Sequence, residues 1–361
     1  MTRLLSTPVS VLIGRLLLAG GAVFLLTGAL TLDPRNMQVV TEFMLLLVLA
    51  LMWNLLAGYA DIVTVGQHAF VGVGAYAFFG FLVFAEWNPY LSVLMAGVVA
   101  LVFALPVMVI VFRLRTAYLA VGSWVVAETL MLAAGKLSAF GGGSGISMPV
   151  SAVRQFGARL GERYAHIYWL ALGLVALAFI STWLLMRSAV GLGLTAMRDD
   201  EEGAGAVGVN LTWSRVLCFL WTAPFLGLAG ALITLQKLRV APPASFSITE
   251  WTVYIIFIVV IGGIGSFEGP ILGTLVFFLL REYLAEIGVW HFIVLGTISI
   301  GVILIEPRGL WGLLRRFVPG DLIPVSYTPA ALKRGKAEEK QAESSENAKG
   351  AYDPTPDSPS S

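Results

Sequence analysis

Residues 43–56 read Phe43-Met-Leu-Leu-Leu-Val-Leu-Ala-Leu-Met-Trp-Asn-Leu-Leu56. The run is apolar whichever way a helix is turned. Strands of a membrane β-barrel alternate apolar and polar residues, so this stretch excludes a barrel. Apolar runs of about 18 residues or more can cross a bilayer as helices, and runs of this kind recur along the chain. Of 361 residues, 58% are hydrophobic and 12% charged, with a mean hydropathy of +0.85. A soluble domain carries about 25% charged residues. The fold class is therefore all-α, a polytopic protein embedded in lipid.

Working outward, the hydropathy predicts about ten spans, near 12–32, 37–57, 69–85, 91–112, 117–134, 167–186, 214–236, 250–264, 270–286 and 288–305. Residues 58–68 are only partly apolar, so the third reads as a broken or re-entrant segment. Arg3 and Arg15 precede a first apolar core too long for a cleavable leader, and no small-x-small site precedes Asp33-Pro34. It reads as a retained helix.

Residues 1–318 form the expected transmembrane domain, and 319–361 a polar tail. From 329 onward Lys, Glu, Ser and Pro dominate, and such a segment buries too little apolar surface to fold. In Trp311-Gly-Leu-Leu-Arg-Arg-Phe317, helical spacing puts Trp311, Leu314 and Phe317 on one face, as in a helix lying in the interface. Lys and Arg in the short loops place both termini in the cytoplasm, with Arg113, Arg187, Arg198, Arg215 and Arg308 inside. Loop 135–166 runs against that assignment, with Lys136, Arg154, Arg159 and Arg163 outside.

A net charge of +1 gives no reason to expect nucleic acid. Cys218, the one cysteine, lies in an apolar run and reads as a buried structural thiol. His68, His166 and His291 are far apart. No His-x-x-x-His pair, Cys cluster or nucleophile elbow occurs, so neither a metal site nor covalent catalysis is expected.

Charge gathers in one place: Arg198-Asp-Asp-Glu-Glu-Gly-Ala-Gly-Ala-Val-Gly-Val-Asn210. Asp199 with Glu202 three positions on resembles a capping box. Asp200 and Glu201 then occupy a first turn, where the helix dipole favours acids. Gly208 suits a left-handed stop. The pattern predicts a short helix over roughly 200–207, made of small residues able to enter a groove in another protein. A solvated connecting loop fits the local pattern equally well.

The flanking Arg187-Ser-Ala-Val-Gly-Leu-Gly-Leu-Thr-Ala-Met-Arg198 and Gly208-Val-Asn210 resemble the cytoplasmic loop of branched-chain amino-acid ABC transporter permeases, the LivM-type subunit. Further segments resemble that family in order: Ala57-Gly-Tyr-Ala-Asp-Ile-Val-Thr-Val-Gly-Gln-His68 and on to Tyr76, Gly141-Gly-Gly-Ser-Gly-Ile-Ser-Met-Pro149, Pro243 to Glu250, Val260 to Pro270, and Pro307-Arg-Gly-Leu-Trp311. The resemblance covers roughly 40–312. His68 departs from a position more often small or Gln, and Asp61 from one often Gly. Both departures bear on the substrate.

The resemblance implies an ABC importer permease fold in the bacterial inner membrane. It implies a second, LivH-like permease, two ABC ATPases and a periplasmic or lipid-anchored binding protein as partners. ATP and Mg would be held by the ATPases and no cofactor by this chain. Residues 198–210 would be the coupling helix, with Arg198, Asp199, Asp200, Glu201, Glu202, Gly208 and Asn210 in the docking set. The sequence has no Gly-x-x-x-x-Gly-Lys-Ser/Thr run, so it has no P-loop of its own.

Polar residues inside spans are costly and usually face protein or water. Gly66, Gln67 and His68 sit at the interrupted helix, where broken helices can offer backbone donors to a substrate carboxylate. A hydrogen-bonded packing turn is the alternative. Glu128 lies mid-span and can meet a substrate ammonium or, more simply, a group on a neighbouring helix. Glu250 reads as an N-terminal helix charge, and the glycine loop 141–145 as a docking element or a passive connector. The expected cargo is branched-chain or related hydrophobic amino acids. Urea, short amides, aromatic or dicarboxylic acids remain as alternatives, as does an ion-coupled secondary transporter.

Overall fold

Polar residues and prolines set where the apolar runs become helices. Pro34 opens a helix behind the extended Asp33, and Pro89 does so behind Asn88, whose side chain accepts the Tyr90 N–H. The computed structural model describes residues 9–114, 116–157, 159–284, 290–306, 308–316 and 322–323. Its helices are α1 Val9–Thr31, α2 Pro34–Asn54, α3 His68–Phe79, α4 Pro89–Val111, α5 Thr116–Ala134, α6 Val150–Arg154, α7 Leu160–Met186 and α8 Ala189–Asp199. There follow α9 Glu201–Ala206, α10 Leu211–Lys237, α11 Pro242–Ser245, α12 Tyr254–Gly262, α13 Gly269–Leu284, α14 Trp290–Ile305 and α15 Gly309–Arg315. Wider π-helical turns extend α2 over Leu55–Tyr59 and α3 over Gly80–Phe84, and precede α12 over Thr249–Val253.

Among the described residues six helices are long and apolar enough to cross a membrane, or up to eight if each of two bent pairs is one span. His68–Phe84 and Gly269–Arg281 are apolar but shorter. Each expected span falls on a helix, yet length alone carries fewer than ten crossings. The ends of the last two expected spans run into residues 285–289, outside the described set.

Burial places α2 at the centre. Within its span 78% is buried, against 11% for α1, which lies at the edge, where the Tyr168 hydroxyl donates to the Leu25 carbonyl at 2.7 Å. One close helix contact is α3 on α10. A methyl group on Gly74 would come within 2.2 Å of the Gly227 carbonyl oxygen, and one on Gly230 within 2.0 Å of that of Val71. Small residues let backbones meet in this way where water supplies no driving force.

The bundle has two unlike ends. At one, β1 Ile146–Ser147 pairs antiparallel with β2 Arg239–Val240, and Met148 donates to the Leu238 carbonyl at 2.8 Å. At the other gather the end of α2, α8, α9, the start of α10, loop 263–266 and α15. Trp311 is buried there while Leu314 is exposed, so the two do not share the interfacial face the spacing predicts; Phe317 lies outside the described residues. Of the expected tail, Leu322 and Ile323 are described. Arg15 donates to the Leu322 carbonyl, and the Ile323 N–H to Glu268 Oε1. The remainder of 319–361 lies outside the described residues.

Candidate functional site: a polar break and a capped corner

The third expected span is a composite. After Tyr59 the chain leaves helical geometry, and it resumes at His68. Asp61 holds a φ of 53°, in the left-handed region that short polar side chains and glycine tolerate. That explains on physical grounds why a glycine suits this position. Side chains from elsewhere fasten the non-helical stretch. Trp53 Nε1 donates to the Thr64 carbonyl at 2.9 Å, and the Val65 N–H donates to Ser123 Oγ at 3.1 Å. Gly66 lies so near α5 that a methyl group there would stand 2.2 Å from the Ser123 carbonyl oxygen.

Gln67 and His68 follow, both fully buried. Gln67 Nε2 donates to the Thr64 hydroxyl, and His68 Nδ1 shares a hydrogen bond of 3.0 Å with the Thr252 hydroxyl. Their other polar atoms, Gln67 Oε1 and His68 Nε2, have no hydrogen-bond partner among the described residues. Buried polar atoms are nearly always paired, and an unpaired one costs about 1–3 kcal/mol. The break thus holds one acceptor and one ring nitrogen with unused capacity, at the N-terminus of a helix. Glu128 is near enough to His68 to act on it electrostatically. Its carboxylate accepts from Trp124 Nε1 at 3.1 Å, one turn back on its own helix. The expected partner on a neighbouring helix is therefore replaced by one on α5 itself, because the i, i+4 spacing brings indole and carboxylate together.

Beyond the break, toward the strand-bearing end, α3, α4 and α5 enclose an apolar cleft of about 600 Å³. Tyr76, Gly80, Phe84, Phe103, Phe140 and Phe246 help line it; Gly66, Gln67, His68 and Glu128 do not. Glu250 stands in the first turn of the π-helical segment before α12 and also pairs with Lys237 at 2.7 Å.

The second feature is the charged corner. α8 runs through Asp199, so Asp199 ends one helix instead of capping the next. The cap is Asp200, extended at φ −157°, ψ 106°, with its side chain accepting the Gly203 N–H at 3.1 Å. The helix is Glu201–Ala206, one residue later at its start than the acids alone predict. Asp199 instead takes both Nε and Nη2 of Arg198, at 3.2 and 3.1 Å. Glu201 accepts both Nη atoms of Arg215 at 2.9 Å, and that bidentate bond holds its carboxyl below the usual carboxylate range. Glu202 is exposed, Gly208 has φ +91° as the stop requires, and Asn210 caps α10 by accepting the Trp213 N–H at 2.9 Å. Side chains of the corner cap the starts of α9 and α10, and backbone bonds close the stop at Gly208.

Sequence reasoning missed Asn54, Thr252 and the pairing of Arg215. Asn54 is fully buried and bonds the loop after α12: its Nδ2 donates to the Ser266 carbonyl and its Oδ1 accepts the Gly265 N–H, both at 2.8 Å. The signal was present, since an amide inside an apolar span is costly unless paired. Among the described residues no three His, Cys, Asp or Glu side chains come together as a metal site would need.

These features define a class, a multi-pass helical membrane protein with a broken span and a self-capped polar corner. Residues 35–305 match the family described as branched-chain amino acid transport system / permease component, and the chain belongs to it. It is 26% identical over 341 residues to the high-affinity branched-chain amino acid transport system permease protein LivM of Escherichia coli, covering 85% of this chain and 74% of that one. Identity to the Salmonella typhimurium protein of the same name is 25% over 332 residues, with the same shares. A shorter stretch of 187 residues, 50% of this chain and 53% of the relative, is 25% identical to the autoinducer 2 import system permease protein LsrC of Salmonella choleraesuis. No solved structure matches. The chain is thus the permease component of an amino-acid import system that works with other transporter subunits.

Proposed function

We propose that the chain moves branched-chain or related hydrophobic amino acids inward across the bacterial inner membrane, as one of two permeases in an ATP-driven importer. The family match over residues 35–305 carries the reading. A LivH-like permease completes the pathway, two ABC ATPases hold ATP and Mg, and a periplasmic or lipid-anchored protein delivers substrate. This chain binds no cofactor. Both termini face the cytoplasm across about ten spans, since the end of the bundle bearing the charged corner also bears Arg187, Arg198, Arg215, Arg308, Arg315 and Arg316.

In this scheme α9 docks in an ATPase groove. Its exposed Glu201 and Glu202, with Asp199 at the end of α8, set orientation, an electrostatic role that favours correct pairing over raw affinity. Gly66, Gln67, His68 and Glu128 line the pathway, where Gln67 Oε1 and His68 Nε2 meet the polar ends of an amino acid in transit. Glu128 presents negative charge to the ammonium.

The test is capture of the tagged chain from native membranes in mild detergent, with partners identified by mass spectrometry. A P-loop ATPase and a second permease should co-purify, and changing residues 199–202 to Ala should release the ATPase. A chain that emerges alone, with uptake that survives ATP depletion but collapses with the proton gradient, replaces this reading with an ion-coupled transporter.

A further inference from the structure

A docking helix is useful only if its movement reaches the pathway, and three side chains connect the two. Arg215 forks onto Glu201 of α9 with both Nη atoms at 2.9 Å, while its Nε points at the Ala60 carbonyl, a long contact of 3.5 Å. Arg198, at the end of α8, donates from Nη1 to the Gly265 carbonyl at 3.2 Å and lies 5.9 Å from the centre of the Tyr59 ring. Gly265 is itself gripped by the buried amide of Asn54, the last residue of α2 before the π-helical turn. The backbones have no slack, for a methyl group on Gly58 would stand 2.4 Å from the Gly265 nitrogen and 2.7 Å from Asn54 Oδ1. The charged corner, loop 263–266 and the foot of the polar break thus form one closed circuit.

We propose that Asn54, Arg198 and Arg215 are positioning residues that carry displacement of the docking helix into segment 60–67, and so to Gln67 and His68. The inference rests on the importer reading above. The chemistry suits transmission. A guanidinium fork fixes direction as well as distance. The Asn54 amide is satisfied on both sides, and pulling it away strands a donor and an acceptor in an apolar interior. Moving Gly265 therefore moves the end of α2, and moving α9 draws on Ala60 through Arg215.

The experiment uses the whole complex in proteoliposomes with Val63→Cys as reporter. Val63 is exposed within the break, and the native Cys218 is fully buried, so a thiol reagent reads the introduced site. In the parent complex, trapping with ATP and vanadate should change Val63→Cys labelling at least twofold. Adding Arg215→Ala should abolish that change and cut uptake at least tenfold, while the ATPase stays bound and hydrolysis remains within twofold of the parent. Arg215→Lys, which keeps the charge but cannot fork, should fall between. Three results overturn the proposal: no labelling change in the parent complex, a labelling change that persists in Arg215→Ala, or loss of the ATPase in both Arg215 variants. A parent chain that captures no ATPase at all sinks the importer reading first, and this inference with it.

Discussion

The break at 60–68 and the corner at 198–210 are both interruptions between helices, and they are built from opposite materials. The break buries Gln67 and His68, is fastened by residues distant in the chain, and is left with unpaired polar atoms. The corner is exposed, and Asp200 and Asn210 close its turns locally. Unused capacity in a dry place suits a passing polar ligand. A corner that satisfies itself holds its shape before any partner arrives, which lowers the ordering cost of binding.

The contrast can be broken most sharply at Gly66. Gly66→Ala should drive a methyl group into the Ser123 backbone, so the folded yield in membranes should collapse, read as loss of the monodisperse peak in detergent. A normal peak would mean that the break is slack. Next is His68→Leu, which removes one unpaired nitrogen and the Thr252 bond. Uptake should fall tenfold or more, with partners still bound. Unchanged uptake would return the break to a packing turn.

The charged corner should respond more gently. Asp200→Ala removes a helix cap, a loss of about 1 kcal/mol. Its expected signature is severalfold weaker ATPase retention, with the peak in detergent unchanged. The smallest effect concerns acidity. Because Arg215 lowers the Glu201 pKa, the stability from that pair is present at neutral pH and above the ordinary carboxylate range. It should fade only as pH drops through the depressed value. Thermal unfolding of the purified chain in detergent should thus be unchanged by mild acidification, and Glu201→Gln should flatten what pH dependence exists.

The sequence disclosed the spans because hydropathy is written residue by residue, and it disclosed the corner because capping is local. It placed the cap one residue early, since two adjacent aspartates offer the same chemistry and only the continuation of α8 through Asp199 decides between them. The contacts that make the break a site were not legible. His68 meets Thr252 across 184 residues, and Asn54 meets Gly265 across 211. No periodicity encodes such pairings. Glu128 shows the converse: its partner lay four residues away, within plain helical spacing, while a long-range one was expected.

Among the described residues three π-helical turns interrupt the helices, at different places in the bundle. One ends α2 just ahead of the break, one ends α3, and one contains Thr252. A π-turn is what an α-helix becomes on accepting one extra residue, and such turns recur at functional sites. Gaining or losing one residue there turns every later side chain by about 100°, the angular step implied by 3.6 residues per turn. Among its described residues the permease thus carries three places where a single codon can re-aim the side chains that follow.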